Sequence, residues 1–197
     1  MTPALSQKLD QNAEADLEMQ RSLLADDMAA ANINPQTCLA TDYLNHYNEI
    51  VMLLEMMPDM PEMVEEALEW QPKTYQQHFR DSAFKGKDLA IEVYDIAPTA
   101  TRLAFEETCT GLDNAIAQLL KGLIAVGAGE RGLSAAAQGF VRARIKAVQD
   151  DLMLLNQVIH GKQDDADMVD MVADQAAPQD DDDQAAQTQA DIDKLFD

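Results

Sequence analysis

The sequence predicts an all-α protein: a compact helical domain containing a long helical hairpin, followed by an acidic disordered tail with a short terminal helix. Three observations lead there. Between residues 10 and 160, apolar side chains recur at three- and four-residue intervals, the period of a helix with one buried face. Asn, Pro and Gly break that pattern at residues 32–35, 58–61, 71–72, 85–86, 97–98 and 127–132. Beyond Gly161 large apolar residues become scarce and aspartate dominates. The chain is therefore divided into an N-terminal helix and loop (1–35), a helical core (36–161), an acidic disordered linker (162–188) and a docking peptide (189–197).

The first helix spans residues 10–31, with Leu17, Leu23, Leu24 and Met28 at near-helical spacing among polar helix formers. Pro35 disfavours helix at Asn34 and leaves a loop there. Thr41 and Asp42 are N-cap candidates for a helix over 43–57, whose Tyr43, Tyr47, Ile50, Val51 and Leu54 share a stripe widened by Leu44, Met52, Leu53 and Met56. Pro58 and Pro61 stop it, and a short helix over 62–70 follows, with Pro61 in its first turn and Glu62, Glu65 and Glu66 near its positive end. Thr74 caps the next segment, on which Tyr75 and Phe79 share a face. A helix over 88–96 leads to Thr99, a cap candidate for a long helix over 100–126 carrying Leu103, Phe105, Leu112, Ile116, Leu119, Leu120 and Leu123. The glycine-rich stretch 127–132 is read as a plain turn. Ser134 begins the last long helix, which runs to His160 with Gly161 as its stop.

Charge narrows the function. The chain of 197 residues carries a net charge of −22, which repels nucleic-acid phosphates and anionic lipid, so neither nucleic acid nor membrane is expected as a partner. The first ten residues lack a basic start followed by an apolar run, and no apolar stretch is long enough for a bilayer; a cytoplasmic location follows as the expectation. Cys38 and Cys109 cannot form a disulfide framework or a metal cluster between them, and are read as small buried apolar residues.

No catalytic constellation stands out, and no cofactor is expected. His46 and Glu49 lie three apart near Asp42, a spacing found in helical metal sites, but no second such pair is present and a structural role is favoured. His78 and His160 read as surface or capping residues. The methionines Met52, Met56, Met57, Met60 and Met63 are assigned mainly to core packing, with Met57, Met60 and Met63 the most exposed. Trp70 and its neighbours through Phe79 are either a binding patch or an anchor for the corner.

The tail is the distinctive feature. Residues 164–197 hold twelve aspartates against one lysine, a charge of −11 and half the chain's total. Such a segment cannot bury a core. It closes on Gln189-Ala190-Asp191-Ile192-Asp193-Lys194-Leu195-Phe196-Asp197, where Ile192, Leu195 and Phe196 fall on one side of a helix. Apolar anchors on a solvated arm have the form of a docking motif. These residues resemble the response-regulator-binding peptides of bacterial chemotaxis, such as those that begin the flagellar switch protein FliM and end the phosphatase CheZ. Gln189, Asp191, Ile192, Asp193 and Leu195 match the switch-protein pattern in order.

The resemblance implies a protein partner, a CheY-like response regulator, and a non-enzymatic adaptor or regulator. A response-regulator phosphatase is the second reading, with Gln118, Gln138 and Gln149 on the hairpin as its first suspects. The Asp–Gln signature of the phosphatase family is absent from the hairpin; Asp16 and Gln20 have only its spacing. A secretion or flagellar assembly chaperone is the third. An alternative to docking is that the terminal segment folds back on its own core or on a second subunit, and homodimerisation is left open.

Overall fold

A computed structural model describes residues 3–162. It is all-α, with eight α-helices among the described residues and a single pair of two-residue strands. The acidic linker and the docking peptide lie outside the described residues.

Helix α1 (Pro3–Ala30) begins earlier than the sequence suggests and meets the core only near its C-terminal end. Met28 is fully buried and Leu24 packs against the core, whereas Leu23, expected on the same stripe, is exposed. One position along a helix rotates the side chain by about 100°, and the stripe runs through Leu17, Leu24 and Met28 instead. Arg21 fixes the helix from the side by donating to the Ile96 carbonyl at 2.9 Å.

Asn32, with φ 58°, ends α1. The loop expected at Pro35 is a tight antiparallel pair, β1 (Ile33–Asn34) and β2 (Leu39–Ala40), with Ile33 opposite Ala40 and Asn34 opposite Leu39. The Asn34 side chain makes the turn, accepting from the Gln36 and Thr37 amides at 2.8 and 3.3 Å. Two bonds then tie the hairpin to distant helices. Thr37 Oγ1 donates to the Ile159 carbonyl at 2.6 Å, and the Ala40 amide donates to the Tyr75 hydroxyl at 2.8 Å.

A 3-10 turn (Thr41–Tyr43) precedes α2 (Leu44–Met56), so neither Thr41 nor Asp42 caps that helix. The anticipated stripe of Tyr43, Tyr47, Ile50, Val51 and Leu54 is buried, while Met52 faces out. Met57 departs from expectation. It is fully buried at the corner before α3 (Met63–Ala67), held by its amide bonding to the Leu53 and Leu54 carbonyls. Thr74 caps α4 (Tyr75–Asp81) in a full capping box: Gln77 donates its amide to Thr74 Oγ1 at 3.3 Å, and its side chain accepts from the Thr74 amide at 2.9 Å.

Helix α5 (Lys87–Tyr94) leads to α6 (Thr99–Ala125), where Pro98 rather than Thr99 holds the cap position. Leu103, assigned to the α6 stripe, is exposed; two residues from Phe105 it points about 200° away. The glycine stretch is a one-turn helix, α7 (Ala128–Arg131), between Gly127 and Gly132, both at positive φ. Helix α8 (Ala135–His160) starts with Ser134 accepting from the Ala137 amide and ends at Gly161, as anticipated. At φ 71° Gly161 lets its own amide reach Val158 and the Lys162 amide reach Gln157. Helices α6 and α8 form the hairpin, and α2 lies against α8.

Aromatic rings fill the space among α2, α4, α5 and α6. Tyr75 stacks on Tyr94 with centroids 4.7 Å apart, Tyr43 meets Phe105 at 5.1 Å, and Phe79 packs on Tyr75 at 4.6 Å. Fully burying each such ring contributes roughly 2–3 kcal/mol. The core centres on these rings.

Candidate functional site: a groove on the helical hairpin

Gln189, Asp191, Ile192, Asp193, Leu195 and Phe196, the residues that sequence assigns to partner binding, lie outside the described residues. Within the described ones, an apolar groove lies between α6 and α8. Its α6 wall presents Ala115, Leu119, Gly122, Leu123 and Val126, successive positions of one helical face; its α8 wall presents Ala137, Phe140, Val141, Arg144 and Val148.

Small side chains at Ala115, Gly122 and Ala137 leave a trough of about 400 Å³. Leu119, Leu123, Val141 and Val148 form a buried floor, while Phe140 and Val126 stand on the rim, 60% and 54% exposed. Isolated exposed apolar residues are ordinary, and these two are distinguished by flanking one apolar trough.

One ionised side chain, Arg144, lies on the groove's lining. Lys121, Arg142 and Lys146 lie outside that lining. Arg144 lies over the Phe140 ring at 5.2 Å. Arg142 contacts Asp59 through both carboxylate oxygens at 3.0 Å, and Lys146 pairs with Asp150 one turn away at 2.8 Å; both pairs are solvent-exposed and hold their cations weakly. The sequence places Leu119 and Leu123 on the apolar stripe of the first long hairpin helix and does not reveal the groove. The available signal was the alternation of small, aromatic and basic residues at Ala137, Phe140 and Arg144.

The other candidates are structural. His46 is buried, stacks on Trp70 with centroids 4.9 Å apart, and accepts the Lys73 amide at Nε2 at 3.1 Å. Trp70 Nε1 returns a bond to the His46 carbonyl at 3.0 Å. Burial, with the nearby His78 and Lys73 charges, pushes the His46 pKa down to about 4, so the ring is neutral at pH 7 and its proton sits on Nδ1. Asp42 is engaged with Asn45 at 3.1 Å and His78 at 3.4 Å. Among the described residues no group of three or more His, Cys, Asp or Glu side chains is placed to hold a metal ion. The Trp70 patch anchors the corner.

Burial raises the thiols of Cys38 and Cys109 to about 11 and about 12, leaving both protonated at neutral pH. On the inner face of α6, Asp113 accepts from the Tyr47 hydroxyl and Glu106 from the Tyr94 hydroxyl, each at 2.9 Å. Gln138 donates to the Pro58 carbonyl at 2.9 Å and Gln149 to Glu55, which commits both amides to the fold, while Gln118 lines the groove. Asp16 and Gln20 are exposed on α1. No helix among the described residues is long and apolar enough to cross a membrane. Comparison with protein families, curated proteins and solved structures finds no match to this chain.

Proposed function

We propose that this chain is a non-enzymatic adaptor or regulator of a cytoplasmic signalling protein, a CheY-like response regulator, which it captures through Gln189, Asp191, Ile192, Asp193, Leu195 and Phe196. One observation carries the reading: Gln, acid, Ile-Asp and Leu follow in order at the end of a segment that holds half the chain's net charge. Ile192, Leu195 and Phe196 supply anchors for an apolar groove on the partner, and the aspartates complement a basic rim. A role without catalysis is supported by the use of His46, Gln138 and Gln149 in structural bonds.

The test is an NMR titration of isotope-labelled response regulator with the full-length chain, with and without a phosphoryl mimic. Saturable shifts on one regulator face, abolished by Ile192→Ala with Phe196→Ala, are the expected result. Unchanged regulator spectra would refute it. The phosphatase alternative is separated by the lifetime of the regulator's phosphoryl group, which an adaptor leaves unaltered.

A further inference from the structure

Between α2 and the segment running from α3 into α4 lies a polar cleft of about 690 Å³. Glu49 and Met52, three apart, share one face of α2, while Glu66 and Glu69 line the cleft from α3 and the turn after it; all four side chains are exposed. Asp81 also lines the cleft but is taken by Lys73 at 2.9 Å, whereas Glu49, Glu66 and Glu69 form no ion pair among the described residues. These carboxylates alone would suit any cation. His46 narrows the choice. Its side chain is 5% exposed, and its Nε2 accepts the Lys73 amide, which leaves the proton on Nδ1. Nδ1 bonds to no acceptor among the described residues, yet no sealed side-chain nitrogen there lacks a partner. The Nδ1–H is therefore not sealed in, and it opens to the cleft that the ring lines.

A free donor, three unpaired carboxylates and an exposed thioether beside an indole make three demands at once: an acceptor oxygen, cations and apolar contact. A metal ion fails the first, since Nδ1 carries a proton, and among the described residues no group of three ligands is placed for one. A polyamine brings cations but no acceptor. Nucleic acid is repelled by the carboxylates, and a symmetric second copy would set the same three glutamates against each other. We propose that the cleft binds a lysine- or arginine-bearing, partly apolar segment of a partner protein. Its main-chain carbonyl accepts from His46 Nδ1, its cations meet Glu49, Glu66 and Glu69, and its apolar side chain rests on Met52 and Trp70, the thioether adapting to its shape. The inference needs no part of the response-regulator reading, which uses residues 189–197 alone.

The test is an NMR titration of the full-length chain, labelled at methionine methyls and at the indole of Trp70, its sole tryptophan, with the capped peptide Lys-Leu-Lys-Lys-Leu-Lys at physiological salt. The expected result is saturable shifts of the Met52 methyl and Trp70 Nε1–H signals. The Kd read from them should rise about tenfold when Glu49→Gln, Glu66→Gln and Glu69→Gln are combined, the summed loss of three exposed charge pairs. These side chains are exposed and unpaired, so the variant keeps the fold. Removing three exposed charges from α1 instead, with Glu18→Gln, Asp26→Asn and Asp27→Asn, should change the Kd by less than about twofold, because distant charges are screened. Equal effects of the two triple variants would mean general attraction to an acidic molecule and overturn the proposal. Absence of the shifts overturns it too, as does their reproduction at the same concentrations by spermine or by the peptide with serine in place of leucine. No regulator is present, so this outcome and that of the regulator titration are independent.

Discussion

Replacing His46 by Gln tests whether a buried neutral imidazole holds the corner together. The ring is 5% exposed, accepts the Lys73 amide and stacks on Trp70, and its pKa falls from the ordinary 6.5 to about 4. A group with a depressed cationic pKa binds its proton more readily in the unfolded chain, so it stabilises the fold fully above pH 6.5 and progressively less as pH falls toward 4. A gap of 2.5 units corresponds to about 3 kcal/mol at its limit, and nearly all of it is lost between pH 7 and pH 4. Other groups titrate over the same range, which makes the comparison with a variant essential. His46→Gln keeps a neutral acceptor but cannot titrate. Urea unfolding of both proteins at pH 7.5, 6.5, 5.5 and 4.5 should show the wild type losing roughly 2–3 kcal/mol more than the variant across the series, whatever their offset at pH 7.5. Parallel pH dependences, or an NMR titration of the His46 ring near 6.5, would refute the argument.

Thr74→Ala removes half of the capping box and should cost about 1 kcal/mol by urea unfolding, with little effect from Thr99→Ala, whose side chain caps nothing. Gly161→Ala places a methyl 3.3 Å from Thr37 Cγ2 at φ 71°, and should lower stability by about 1–2 kcal/mol in the same assay. Phe140→Ser should leave unfolding within about 0.5 kcal/mol of wild type, since the ring is largely exposed, which makes it a usable probe of the groove. Cys38 and Cys109 should react slowly with a thiol reagent at pH 8 in the folded protein and rapidly in urea, read by absorbance.

How much of this could be read from sequence depends on the range over which each signal acts. Thr74 with Gln77, Ser134 with Ala137 and Gly161 after His160 are contacts within one helical turn, so the local residues suffice to predict them. The strand pair at Ile33 and Leu39 is different. Two residues per strand show no alternation, and the hairpin is secured by Thr37 bonding Ile159, 122 positions away. Asp42 has the chemistry of a cap, but a 3-10 turn begins ahead of it and its carboxylate turns to Asn45 and His78 instead. Long-range partners decide such cases.

The groove shows a limit of another kind. Leu119, Leu123, Val141 and Val148 are buried and helically spaced, as core residues are, and in every local respect they are core residues. What separates a groove floor from a sealed core is the layer above it, which depends on whether another element crosses α6 and α8 at that level. No described helix does so, and Phe140 and Val126 are left flanking an open trough. Periodicity reports that a face is apolar, not what covers it.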